Sequence, residues 1–284
     1  FDDSLPGLLA AWLAGIRRRV LNRQHTGFHW LHARRWVALD RWNNRLATDI
    51  IAISAENRQF MIDREPAPQG KITLVHTGIP TVATTRRIEE TMALLRARFG
   101  IGPSHLVFGN VARYVEWKGH RHLIQAAAHI VRTLPNARFL LCGKGALRPA
   151  MEALASELGV ADHIVFIDRV EPTDMPSFYG LLHAYLHAAT LEPFGLVYAE
   201  AMMNGVPVVS TRTGAAADAI VDGENGILVD EANGEALANG VQRLMQLDLK
   251  HVGVEGMRAA MRMFPFEVMW KGTTSCYERA MQRP

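Results

Sequence analysis

The chain has 284 residues, 49% of them hydrophobic and 21% charged, with a formal net charge of +3. Wholesale disorder is excluded by that composition, and the length suits two domains better than one. The longest run of basic residues is Arg17–Arg19, so nucleic acid is not an expected partner.

The apolar stretch 5–16 falls short of the ~20 residues a membrane-spanning helix needs. From Val20 onward, short β-rich runs alternate with helical patterns. Strands are predicted over 19–22, 49–54, 71–76, 106–112, 138–142, 163–167, 184–187, 207–210 and 226–229. Helices are predicted over 86–98, 121–134, 147–158, 196–203, 234–247 and 266–281. This alternation predicts an α/β protein with parallel sheets. Continuous apolar runs such as Phe139–Leu141 fit strands covered by helices on both faces. A break is expected within 78–86, where Gly78-Ile-Pro-Thr leads into a charged helix. It divides the chain into a first domain (1–78), a second (79–264) and a closing helix (265–284). Cys142 and Cys276 stand alone, which argues against a disulfide framework and for a reducing, cytoplasmic compartment.

Two segments carry chemistry. In Thr190-Leu-Glu-Pro-Phe-Gly-Leu-Val-Tyr-Ala-Glu200, Glu192 falls on a loop and Glu200 within the next helix. Free N–H groups near Phe194, Gly195 and Leu196 open that helix. Two carboxylates beside helix N–H groups suit a ligand with hydroxyls and an anion, although each acid alone reads equally well as a solvated surface group. In Phe108-Gly-Asn-Val-Ala-Arg-Tyr-Val-Glu-Trp-Lys-Gly119, Arg113 and Lys118 follow a strand, at the edge where open α/β sheets bind ligands. They can converge on a diphosphate or stand as exposed loop cations. The turn Cys142-Gly-Lys-Gly145 is incomplete as a nucleotide fingerprint. His25, His29 and His32 have helical spacing but no interleaved acid, so polar packing is expected there and no metal. The basic aromatic segment 34–42 suits an amphipathic helix or a peripheral membrane contact.

The ordered set of motifs resembles the retaining GT-B-fold glycosyltransferases of the large family that includes sucrose synthases and bacterial polysaccharide and lipid-linked sugar transferases. Thr48–Ser54, Lys71–Ile79, Arg113…Lys118-Gly119, Cys142–Gly145, Glu192-Pro-Phe-Gly195 with Glu200, Gly205–Thr211, Gly214 and Asp222–Val229 carry the match. The resemblance implies two Rossmann-like domains, the first incomplete because its opening strands are absent. It implies transfer of a sugar from a nucleoside diphosphate sugar to an acceptor hydroxyl on a glycan, polysaccharide or lipid-linked substrate. No cofactor and no metal are implied, since Arg113 and Lys118 neutralise the leaving diphosphate. Glu192 would take the sugar hydroxyls and Glu200 the ribose, with Gly143, Phe194, Gly195 and Leu196 lining the donor site. Arg169 and Val170 would lie beside the base, and His25 would reach the reacting centre. Ala112, Ala189 and Asp218 depart from the pattern. A glycosidase, or a nucleotide-sugar-binding fragment without turnover, are the competing readings.

Overall fold

The computed structural model describes residues 4–81 and 87–282. Among the described residues, nine strands form two parallel sheets. The first contains β1 (Val20–Arg23), β2 (Asp49–Ala52) and β3 (Ile72–Leu74), in that spatial order. The second contains β4 (Leu106–Val111), β5 (Ala137–Cys142), β6 (Ile164–Ile167), β7 (Ala184–His187), β8 (Val208–Thr211) and β9 (Ile227–Val229). Its order is β6-β5-β4-β7-β8-β9, so the chain reverses direction across the sheet between β4 and β7. Parallel neighbours cannot be joined by hairpins, and helices make the crossovers. The expected strands are present within one or two residues. Arg86, in the expected helix 86–98, lies outside the described residues; the helix runs Glu89–Arg98.

Side chains along the central strands alternate between two apolar cores. Val107, Leu140, Tyr185 and Val208 face one, and Phe108, Phe139, Leu186 and Val209 the other. This explains why these strands are continuous apolar runs. The three-stranded sheet has a smaller core around Leu21, Ile50, Ala52, Met61 and Ile72.

Three segments differ from the sequence expectations or extend them. The apolar stretch at the start contains a helix, Ser4–Leu13, with Pro6 in its first turn, where its missing N–H costs nothing. Only Leu8 of that helix is buried, and Trp12 and Leu13 are exposed. Segment 34–42 forms a short 3₁₀ turn, Arg34–Trp36, and then enters the helix Val37–Leu46. That helix buries Asp40, Asn43 and Asn44 and exposes Trp42, so its inward face is polar. The last helix, Phe266–Gln282, returns to the first sheet, where Cys276 packs with Ile51 and Val75. Arg279 donates to Thr73 Oγ1 at 3.1 Å. Among the described residues no helix is long and apolar enough to cross a membrane.

Candidate functional site

The strand reversal between β4 and β7 opens a crevice at the carboxyl ends of β4, β5 and β7, the position where doubly wound sheets bind ligands. A cleft of about 560 Å³ occupies it. Its second wall comes from the three-stranded sheet, through Gln24, Ile53 and Thr77.

Arg113 follows β4 by two residues, is exposed, lines the cleft and makes no ion pair among the described residues. Its position is fixed by the turn after β5. Ala112 N–H donates to Cys142 O and Tyr114 N–H donates to Lys144 O, both at 2.9 Å. Gly143 has φ +153°, and a Cβ there would lie 1.9 Å from Ala112 O. The glycine is required because two backbones touch at that point. The Gly-rich turn therefore acts as a seat for the Arg113 segment, and Gly143 also lines the cleft.

Lys118 sits in the 3₁₀ turn Glu116–Lys118, and its Nζ lies 2.5 Å from Glu192 Oε2. The two groups assigned separately to diphosphate and to sugar thus neutralise each other across the cleft wall. Glu192 is only 6% exposed. Behind it lies His187 of β7, 3.5 Å from the same carboxylate oxygen. Burial lowers the His187 pKa to about 4, so the ring is neutral near pH 7, and the attraction of Glu192 does not reverse this.

Phe194, Gly195 and Leu196 line the cleft where the helix Leu196–Met203 begins. Gly195 caps that helix at φ +97°, and a Cβ there would strike the Tyr198 ring. Tyr198 in turn donates to Phe194 O, which fixes the turn. Arg169 and Val170, after β6, also line the cleft. Glu200 is not among the lining residues. It lies one turn beyond Val197, which is, and it accepts a hydrogen bond from Tyr179 Oη at 2.8 Å. Burial pushes the Glu200 carboxyl up, and the Tyr179 bond offsets part of that.

His25 is likewise not among the lining residues; its neighbour Gln24 is. His25 Nε2 lies 3.5 Å from Asp40 Oδ1, and His29 Nδ1 lies 2.9 Å from Asp40 Oδ2. Arg23 joins Asp40 at 3.0 Å and Glu65 at 2.6 Å, and Asn44 donates to Glu65 at 2.9 Å. The acid missing from the histidine spacing is thus supplied by the helix Val37–Leu46. Candidate ligand atoms of His25, His29 and Asp40 fall within 4.8 Å of one another, with the Arg23 guanidinium already against that carboxylate. Burial alone would raise the Asp40 pKa, but the His25 hydrogen bond and the Arg23 charge hold it below the usual range.

Residues 93–259 match the family model described as glycosyl transferases group 1. The chain belongs to that family. It is 32% identical to D-inositol 3-phosphate glycosyltransferase of Corynebacterium urealyticum, over 89% of this chain and 71% of the relative. It is 28% identical to the capsular polysaccharide biosynthesis glycosyltransferase CapM of Staphylococcus aureus, over 81% of this chain and 61% of CapM. HepE of Anabaena, solved with UDP and glucose, shares the fold with a TM-score of 0.86, at 21% identity over 97% of this chain and 75% of HepE.

In this glycosyltransferase, the two sheets meet through residues that sequence reasoning left without a task. Ser54 donates to Pro193 O at 2.9 Å, and Glu56 accepts from Gly214 N–H at 2.5 Å. Asp218 accepts from Ala55 N–H at 2.8 Å and pairs with His76 at 2.9 Å. The Asp218 departure from the family pattern is therefore a carboxylate at the junction of the two sheets. Gln24, Ile53 and Thr77 were also missed, because neutral residues on a cleft wall carry no motif.

Proposed function

We propose that this glycosyltransferase moves a sugar from a nucleoside diphosphate sugar to an acceptor hydroxyl, with retention at the anomeric carbon. The observation that carries the reading is one cleft lined both by an arginine without an ion pair among the described residues and by a helix N-terminus. Negative charge grows on the diphosphate as its bond to the sugar breaks. Arg113, Lys118 and the N–H groups at Gly195 and Leu196 are placed to stabilise it, so no metal is required. Glu192 takes sugar hydroxyls, displacing Lys118 toward the phosphates. Glu200 takes the ribose from its helix edge, and Arg169 and Val170 flank the base. Gln24 lines the cleft from the acceptor side, and His25 beside it, paired with Asp40, is the residue assigned to reach toward the reacting centre. Residues 79–264 form the donor domain, with 1–78 as the acceptor side and 265–284 as the closing helix. HepE was solved with UDP and glucose, which supports a nucleoside diphosphate donor. A glycan or lipid-linked acceptor fits the relatives' names.

Calorimetry with UDP, GDP and ADP and with their glucose or mannose conjugates tests the reading. Binding of one family, lost in Arg113→Ala with the fold intact, is the expected result. Absence of binding by all of them refutes it. Glu192→Gln should spare the bare nucleotide and weaken the conjugate, whereas Glu200→Gln should weaken both.

A further inference from the structure

His187 closes β7 and carries a buried polar group that the fold leaves idle. The residue is 1% exposed, and neither ring nitrogen has a hydrogen-bond partner among the described residues. Buried polar groups are ordinarily satisfied, so such a ring needs a reason. Packing fixes its orientation. Tyr185 stacks on it with centroids 6.4 Å apart, and Tyr198 meets it edge-on at 5.1 Å and 76°. Held this way, Nε2 lies 3.5 Å from Glu192 Oε2, just beyond hydrogen-bond length.

The gap has a cause. Lys118 Nζ holds the same oxygen at 2.5 Å. Among the described residues, no side chain other than Lys118 and His187 brings a nitrogen to that carboxylate. The backbone around it is anchored. Thr190 N–H donates to Trp117 O, Thr211 Oγ1 donates to Ala189 O, and Pro193 O accepts from Ser54. Glu192 can therefore turn its side chain but not shift its loop. Once Lys118 turns to a diphosphate, a carboxylate only 6% exposed has lost its cation. Burying a charge without a donor is costly. The donor left within reach is His187, with its proton on Nε2. A neutral N–H orients the carboxylate without cancelling its charge, which stays available to a hydroxyl proton. Both nitrogens lie against Oε2, so Oε1 is left for that hydroxyl.

We propose that His187 is a positioning residue for Glu192: its Nε2–H takes over Oε2 when Lys118 lets go, and so aims Oε1 at the sugar. The aim at a sugar rests on the function proposed above. The hand-over between the two nitrogens depends on no ligand.

Two experiments keep these apart. The first is NMR of the full chain with isotope-labelled histidine, without nucleotide and at about pH 8, where carboxylates are ionised. It compares the wild type with Lys118→Met, which vacates Oε2 as a bound diphosphate would. His187 should show the Nε2–H tautomer, and its Hε2 resonance should move downfield in Lys118→Met as the hydrogen bond shortens. Adding Glu192→Ala should abolish the movement. A proton on Nδ1, or a resonance that Lys118→Met leaves in place, overturns the proposal whatever the cleft binds. The second is calorimetry with UDP, GDP and ADP and their glucose or mannose conjugates, read as the ratio of conjugate to bare-nucleotide affinity. His187→Phe should lower that ratio about tenfold or more, the scale of a hydrogen bond to a charged group. His187→Gln, whose amide N–H can stand in for Nε2–H, should restore most of it. An unchanged ratio in folded His187→Phe, or an equal loss in His187→Gln, makes the ring a packing element and overturns the proposal. Absence of binding by every compound in the wild type refutes the donor reading, and the NMR result then decides the hand-over alone.

Discussion

The two sheets of this molecule have interiors of different kinds. Around the six-stranded sheet, both faces are closed by large apolar and aromatic side chains, and charge enters only at the cleft end, where His187 backs the Lys118–Glu192 pair. Beside the three-stranded sheet, a connected set of charges and amides occupies the interior: Arg23, His25, His29, Asp40, Asn44 and Glu65. Apolar packing is tolerant, because a lost methylene leaves a void and little else. A buried ionic network is intolerant, because removing one partner strands the others away from water. The half that faces the acceptor in the proposed reaction is thus the half whose shape depends on a few exact partners.

The comparison breaks most severely at Arg23. Replacing Arg23 by Met leaves Asp40 and Glu65 buried without their cation and should cost about 3–5 kcal/mol. Hydrogen exchange should show faster opening of residues 20–74, with 106–229 little changed. A uniform loss of protection would show that the two interiors unfold as one unit.

Acid sharpens the contrast from the other side. Burial holds His120 and His187 near pKa 4, below the unfolded value of 6.5. Between these limits the unfolded chain takes up protons that the folded chain refuses. Stability should therefore be full above pH 6.5 and fall as pH drops toward 4, by up to ~3 kcal/mol for each histidine. His187→Phe should flatten the denaturation midpoint against pH over that window. An unchanged slope would assign the titration to other groups.

Arg113→Ala acts on binding alone. It should weaken nucleoside diphosphate affinity by about 1.5–3 kcal/mol, the scale of a charge-assisted contact, and leave Tm in place. The smallest effect is expected where the halves join. Ser54→Ala removes both the bond to Pro193 O and the cap on the helix Ala55–Arg64, and should cost about 1 kcal/mol. Fluorescence of a label at the junction should then report more frequent separation of the sheets.

These differences also decided what the sequence could reveal. Strands of the second sheet are read easily because both of their faces are apolar, and Ala184–His187 and the helix Leu196–Met203 lie where their patterns put them. The helix Val37–Leu46 defeats the same reasoning, since hydrophobic periodicity places Trp42 inward, and the protein turns Asp40 and Asn44 inward instead. Arg113, Glu192 and the Gly195 turn were legible because charge and glycine mark them. The Lys118–Glu192 contact and the Arg23–Glu65 pair were not, because they join residues 74 and 42 positions apart. No local spacing encodes such distances.

The Lys118–Glu192 pair has a consequence for how a ligand arrives. Opposite charges 2.5 Å apart present almost no field to the solvent, so an approaching diphosphate is drawn by Arg113 far more than by Lys118. In the proposed reaction the second cation would become available only after the sugar's hydroxyls have begun to compete for Glu192. Association rates should therefore fall with ionic strength as for capture by a single charge, whereas residence time depends on both cations. A bare nucleoside diphosphate, which has no sugar to release Lys118, should arrive as fast as the full donor and leave sooner.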